Sequence, residues 1–214
     1  MKVNIFNNNP VRSNMYILEE DGRAIIVDPS VEDVRLTKCK VEYIILTHEH
    51  YDHICAVNYW RNSTGAIVIA SRNCQKGLQD PLRNFSRFYK EFCELQTMVK
   101  INSSVKNCEY MCSADIIFDK EYNLNWNFNT LKLFECPGHS MGSICILLNN
   151  KLLFCGDTLF KDYPITTGMP GGSKRQWVKY GRPSLETLSK DIIVYPGHFE
   201  SFLLNDYRFW EVIR

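Results

Sequence analysis

All five histidines of this 214-residue chain stand just past the ends of short apolar runs, and three of them share one turn. The turn reads His48-Glu49-His50-Tyr51-Asp52-His53, directly after an apolar run. His139 lies in C-P-G-H-S and His198 in Y-P-G-H-F. In both, Pro-Gly stops a strand and frees the backbone to turn sharply, so an imidazole can point back across the strand ends. Asp157, in F-C-G-D-T, follows another apolar run and another glycine. Such a pattern favours a fold in which these strand ends lie at one place.

The runs themselves are strand-like. Residues 3–6, 15–18, 24–27, 41–46 and 66–70 are short apolar stretches bounded by turn residues. Asp21-Gly22 between the second and third is a hairpin signal. Asp52 can cap a helix from near His53 to about Arg61. Residues 71–99 change character: Phe85, Phe88, Tyr89 and Phe92 recur at helical spacing, which predicts one or two helices whose aromatics form a core stripe rather than a substrate wall. Strands resume at 115–118, 131–136, 143–148 and 152–155, the last two joined by Asn149-Asn150 as a tight turn. A further run at 192–195 ends at Pro-Gly, and 205–214 is a candidate terminal helix. Many short strands with a few helices suggest two packed sheets with helices outside, within a single domain over 1–214.

Composition excludes several function classes. Net charge is +1, so no global field favours nucleic acid or an acidic membrane. Apolar stretches such as 144–148 fall far short of the roughly 20 residues a membrane span needs. The first ten residues lack the apolar segment of a secretory signal. The nine cysteines are odd in number and contain no C-x-x-C, which argues against a zinc ribbon, a thioredoxin motif or a disulfide framework. Cys145 and Cys155 sit in apolar contexts, where a thiol behaves as a small hydrophobe. A reducing cytoplasm is the expected location.

The polar pattern suits a metal. Neutral imidazole and carboxylate bind zinc at about 2.0–2.2 Å. Five histidines plus Asp52 and Asp157 make seven donors, too many for one tetrahedral ion and suited to two ions that share a carboxylate and a water. The H-E-x-x-H helix of zinc proteases is excluded, because Asp52 stands where the second histidine would be. Glu49 is then expected to point away or to orient a ligand. A lone histidine after a strand is ordinarily a surface or hydrogen-bonding residue; the clustering argues otherwise.

The motifs T-H-E-H-Y-D-H, C-P-G-H-S, C-G-D-T-L-F and Y-P-G-H, in this order, resemble those of the metallo-β-lactamase-fold hydrolases, above all the short glyoxalase II-like branch. Val27-Asp28-Pro29-Ser30 matches the family's aspartate after an early strand. The resemblance implies an α/β, four-layer αββα sandwich with a helical insertion near residues 71–99. By position it implies one metal held by His48, His50 and His139, a second held by Asp52, His53 and His198, and Asp157 bridging the two. Asp28 would support a ligand imidazole from behind. Two zinc ions are implied, iron or manganese being alternatives. A metal-bridging hydroxide would attack a carbonyl, and Asp52 would hold the nucleophile's proton. The family's β-lactamases use a cysteine ligand or lack the bridging acid, so Asp157 points away from that activity.

Glyoxalase II itself carries an added helical region after the last histidine, and the sixteen residues after His198 leave no such region expected. The family's short members carry Gly-Arg-Thr-Asp before Pro-Gly-Gly, where this chain reads I-T-T-G-M-P-G-G. The expected activity is hydrolysis of a small thioester or ester. A single-iron persulfide dioxygenase-like oxidoreductase and a phosphodiesterase or nuclease of the same fold are the alternatives. The loop after Phe160 supplies Tyr163, Lys174 and Arg175 as candidate contacts to a small-molecule substrate. The basic stretch 174–182 also reads, more plainly, as a solvated helix face. No nucleic-acid or membrane partner is expected.

Overall fold

The computed structural model describes residues 1–8, 10–98, 100 and 105–207. Strands β1 (Lys2–Asn8), β2 (Ser13–Glu20), β3 (Arg23–Val27), β4 (Lys40–Ile45), β5 (Ile67–Ser71) and β6 (Ile116–Phe118) form one sheet in chain order. The pairs from β1 to β3 are antiparallel, and those from β3 to β6 are parallel. A second sheet holds β7 (Glu121–Trp126), β8 (Asn129–Glu135), β9 (Ile144–Leu148), β10 (Leu152–Gly156), β11 (Ile193–Pro196) and β12 (Phe202–Leu203), again in chain order. Only its β10–β11 pair is parallel.

Both hairpin signals work as predicted. Asp21 and Gly22 take φ of 49° and 74°, and Asn149 and Asn150 take 50° and 55°. Positive φ at both central residues matches the twist of the flanking strands. Lys151 N–H closes the second turn onto the Leu148 carbonyl at 3.0 Å.

Side-chain alternation explains the layering. In β3, Ile25 and Val27 face β9 residues Ile144, Ile146 and Leu148 in a core between the sheets. Their neighbours Ala24 and Ile26 point the other way, onto Ile54, Val57, Trp60, Cys74 and Leu78. Those residues belong to α1 (Tyr51–Ile54), α2 (Val57–Thr64) and α3 (Arg72–Leu78). On the far side, Cys145 and Leu147 pack under Trp177 and Leu185. These come from a π-helical turn (Trp177–Gly181) and α6 (Arg182–Glu186), which follow α5 (Lys174–Gln176). With α4 (Tyr89–Thr97) in the insertion, the expected αββα order is present. Strands buried on both faces read as continuous apolar runs, which is why β3 and β9 are visible in the sequence.

Several local expectations are corrected. The helix after the histidine turn begins at Tyr51 rather than His53, and breaks into α1 and α2. Asp52 does not cap it, because its carboxylate is engaged with His53 and His198. The stretch 71–99 contains α3, a 3₁₀ turn (Ser86–Phe88) and α4. Ser71 ends β5 and caps α3 by accepting from Cys74 N–H at 3.1 Å. Of its four aromatics only Tyr89 is buried; Phe88 is half exposed, and Phe85 and Phe92 line a groove instead of filling a core. β7 went unread because its outward positions are Glu121, Asn123 and Asn125. The candidate helix 205–214 falls largely outside the described residues, with only a 3₁₀ turn (Leu204–Asp206) at its start. All nine cysteines are free thiols. Among the described residues no helix is long and apolar enough to cross a membrane.

Candidate metal centre

The C-terminal ends of β3, β4, β8, β10 and β11 open toward the same side of the molecule, and the residue groups that follow them meet there. Asp28 follows β3, the three-histidine turn follows β4, His139 follows β8, Asp157 follows β10 and His198 follows β11. Two glycines make the approach possible. A Cβ at Gly156, whose φ is +49°, would come within 2.8 Å of Thr47 Cβ, and one at Gly197 within 2.8 Å of the His53 ring.

Four of the five imidazoles are oriented from behind, and His50 Nε2 lies 3.5 Å from the Pro170 carbonyl. His139 Nδ1 lies 3.0 Å from the Thr166 carbonyl, and His198 Nδ1 lies 3.1 Å from the Val11 carbonyl. A carbonyl only accepts, so each Nδ1 carries the hydrogen it donates and each Nε2 is left facing inward. His48 Nδ1 sits 3.0 Å from Thr47 Oγ1, whose hydroxyl donates to Asp28 Oδ2 at 2.5 Å. Asp28 Oδ1 also accepts Thr47 N–H at 2.7 Å, and Oδ2 lies 3.2 Å from His53 Nδ1. Asp28 reaches these partners from a left-handed φ of 52°, a conformation aspartate tolerates better than most residues. It therefore supports two imidazoles, one directly and one through Thr47. Thr47 and the carbonyl partners were not foreseen from the sequence, because a carbonyl leaves no residue-type signal.

The inward atoms form two groups. His48, His50 and His139 offer nitrogens within 4.8 Å of one another, with His50 Nδ1 and His139 Nε2 2.9 Å apart. Asp52, His53 and His198 form the second. There Asp52 Oδ2 is 3.4 Å from His53 Nε2 and 3.3 Å from His198 Nε2, and the two nitrogens are 3.4 Å apart. Asp157 touches both groups: Oδ2 is 3.6 Å from His139 Nε2 and 3.5 Å from His198 Nε2, while Oδ1 is 3.3 Å from His53 Nε2. Ligands at about 2.0–2.1 Å around a tetrahedral ion lie about 3.3 Å from each other, which the separations in the second group match, while the His50–His139 pair is tighter at 2.9 Å. His48 Nε2 and Asp157 Oδ1 are buried with no hydrogen-bond partner among the described residues. A bound cation would satisfy them, so the donor set fits a metal.

Charge divides the groups. Burial and the neighbouring His139 push His50 down to about 3, and burial likewise lowers His48 and His139, so these rings stay neutral. Burial also opposes charge on His53 and His198, but Asp52 and Asp157 outweigh it. They raise His53 well above the usual imidazole range and His198 to about 10. In return, and against burial, the two histidines hold both carboxylates below their ordinary range.

Two grooves flank the cluster. One, of about 540 Å³, is walled by Leu82, Phe85, Phe92, Met169 and Pro170, and Phe85 lies edge-on to His50 at 4.7 Å. The other, of about 880 Å³, runs past His198, Phe160, Tyr163 and Phe199. Tyr163 stacks on Phe199 at 5.2 Å, beside His198. Lys174 and Arg175 are exposed on α5 and line neither groove, and Arg182 pairs with Glu186 at 2.7 Å. The basic stretch is thus largely exposed, and of the three candidate substrate contacts Tyr163 lies beside the cluster. Phe85, which does lie there, was assigned to a core stripe: helical periodicity does not say which side of a helix faces a groove.

Residues 8–92 match the Metallo-beta-lactamase superfamily. The chain is 28% identical over 196 residues to the probable metallo-hydrolase YqgX of Bacillus subtilis (strain 168), covering 88% of this chain and 86% of that one. It is 26% identical over 161 residues to the hydroxyacylglutathione hydrolase of Francisella tularensis subsp. novicida (strain U112). That match takes in 72% of this chain but spans only half the length of the relative. The crystal structure of BLEG-1 B3 metallo-beta-lactamase superposes with a TM-score of 0.78 at 26% identity, over 96% of this chain and 95% of that one. Four layers, ordered motifs and these likenesses agree on the metallo-β-lactamase fold, with the His/Asp cluster typical of that fold.

Proposed function

We propose that the chain is a dinuclear metal-dependent hydrolase acting on a small thioester or ester. The carrying observation is Asp157, a single carboxylate within 3.6 Å of nitrogens from both donor groups. In this reading His48, His50 and His139 hold one ion, and Asp52, His53 and His198 hold the other. A single-ion oxidoreductase would leave the second group without a role. Bound divalent ions, zinc by donor type, supply a water acidified toward neutral pH and a Lewis acid for the carbonyl oxygen. Iron and manganese suit the same imidazole and carboxylate donors.

The protein's own contribution is orientation and proton handling. Asp52 stays ionised, so its carboxylate would accept a hydrogen bond from the attacking water and orient it. The backing carbonyls, Thr47 and Asp28 keep the rings of His139, His198, His48 and His53 aimed inward. Asp157 and His198 are the most exposed members of the cluster, at 12% and 16% of their side chains, so substrate enters beside them. Grooves of this size match those that hold small organic ligands, about 300–1,000 Å³.

Metal content of protein purified without added metal, paired with thioester, lactone and phosphodiester substrates, tests the proposal. Two equivalents of zinc and thioester or ester turnover are expected. One equivalent of iron with oxygen uptake on glutathione persulfide would overturn it, as would cleavage of bis-p-nitrophenyl phosphate with no thioester or ester turnover.

A further inference from the structure

Glu49 stands between two metal-ligand histidines and takes no part in the cluster. In the extended backbone of the turn, alternate side chains point to opposite sides. His48 and His50 therefore face the cluster while Glu49 faces backward into the protein, where it is completely buried. Its Oε1 accepts Arg83 Nε at 2.9 Å and lies 2.9 Å from Arg83 Nη2. Its Oε2 accepts the Ser140 hydroxyl at 2.7 Å.

The space around this carboxylate is cleared for it. A Cβ at Gly77 would come within 2.6 Å of Glu49 Cβ, and one at Gly142 would strike its carboxylate. Arg83 in turn donates through Nη2 to the Asn73 carbonyl at 3.1 Å. Ser140 Oγ also accepts Gly142 N–H at 3.1 Å and lies 3.1 Å from Ser143 Oγ. A buried ion pair is weak support for stability as such, since apolar residues of the same volume often do as well. What this pair has that apolar residues lack is directed bonds to two specific loops.

The Ser140 loop and the turn that carries Glu49 hold ligands of the same donor group. Ser140 follows His139, and Glu49 sits between His48 and His50. The His50 and His139 nitrogens are 2.9 Å apart on the front of the structure, and Glu49–Ser140 joins their loops from behind. Arg83 adds the third member, because Phe85, two residues on, packs edge-on against His50.

We propose that Glu49, held by Arg83, is a positioning residue. It clamps the His48–His50 turn to the His139 loop, so that three nitrogens from two loops meet at one ion, and it ties the aromatic groove wall to that ion's ligands. This rests on reading the cluster as a metal site and not on the identity of the substrate.

Zinc affinity of the full chain, measured by competition with a chromophoric chelator, tests it beside thermal unfolding of the metal-free protein. Glu49→Gln keeps the shape and removes the charge; it is expected to weaken the tighter zinc site by about 10–100-fold, as loss of a residue supporting a metal ligand does. Asp115→Asn breaks the Arg61–Asp115 pair at the other end of β5. That control is expected to lower the unfolding temperature and leave zinc affinity unchanged. If Glu49→Gln does not fold, the double variant Glu49→Met/Arg83→Met removes both buried charges together, and its zinc affinity is expected to fall likewise. A folded variant of either kind that binds zinc within about twofold of wild type overturns the proposal while leaving the metal reading intact. Wild-type protein that binds no zinc overturns both.

Discussion

His50 and His198 belong to the two donor groups that Asp157 touches and are set to opposite charge states. His50 is buried against another imidazole and is pushed down to about 3; His198 faces Asp52 and Asp157 and is raised to about 10. Both are histidines after a strand, and both aim a nitrogen at the same small volume. The difference is contact: Asp52 and Asp157 act on both rings, but only His198 has them within 3.5 Å of its Nε2. His48, His50 and His139 form a neutral set ready to accept a cation, whereas His53 and His198 form a charge-balanced set with Asp52 and Asp157. A metal entering the first group meets free lone pairs. One entering the second must displace protons first.

The largest effect should come from deleting a donor in the neutral set. His50→Ala is expected to lose first-group zinc by more than about 100-fold, beyond what losing an outer partner costs, and to lose hydrolysis with it. Retained zinc and retained activity would remove His50 from the site.

Proton displacement separates the halves next. The protonated form of a histidine cannot bind metal, so where its pKa is raised above ambient pH, affinity climbs as pH rises. Between pH 6 and 8, second-group zinc affinity should rise about 100-fold for each proton released on binding. First-group affinity should stay nearly flat, because His50 is already neutral there. Isothermal titration in buffers of different ionisation enthalpy counts the protons; equal release at both sites would erase the distinction drawn here.

A smaller effect should follow from the residue that supports both halves. Asp28→Asn keeps the volume and loses the charge facing His53 and Thr47, and should weaken zinc binding by about tenfold. Because Asp28 reaches His53 directly and His48 only through Thr47, the second group should suffer more; a larger loss at the first would reverse the assignment. Last, Lys174→Ala and Arg175→Ala should leave turnover within about twofold, as exposed surface substitutions do. A clear rise in KM in either variant would return α5 to the substrate site.

The seven donor residues were legible because chemistry restricts them to His and Asp and because each follows an apolar run. The two sheets were legible for a related reason: strands such as β3 and β9 are buried on both faces and read as unbroken apolar runs. β7, half polar, was not. The grooves were illegible because their walls depend on orientation. Phe85 and Tyr89 belong to one periodic pattern, yet Tyr89 is buried and Phe85 lies against His50. Lys174 and Arg175 advertised a binding site by charge, and the fold left them in solvent.

By itself, then, the sequence determined most of the strand positions, the hairpin turns and the residue types of the candidate donors, since these follow from local backbone preference and ligand chemistry. Only the tertiary structure decided how the donors divide. The carboxylates of Asp52 and Asp157 come from positions 105 residues apart, and which imidazoles they face is set by the ends of β4, β10 and β11 meeting at one edge. Glu49 shows the same limit. Its neighbours in sequence point to the cluster, but its partners Arg83 and Ser140 are 34 and 91 residues away, and only packing brings a charge, its counter-ion and two ligand loops into one buried contact.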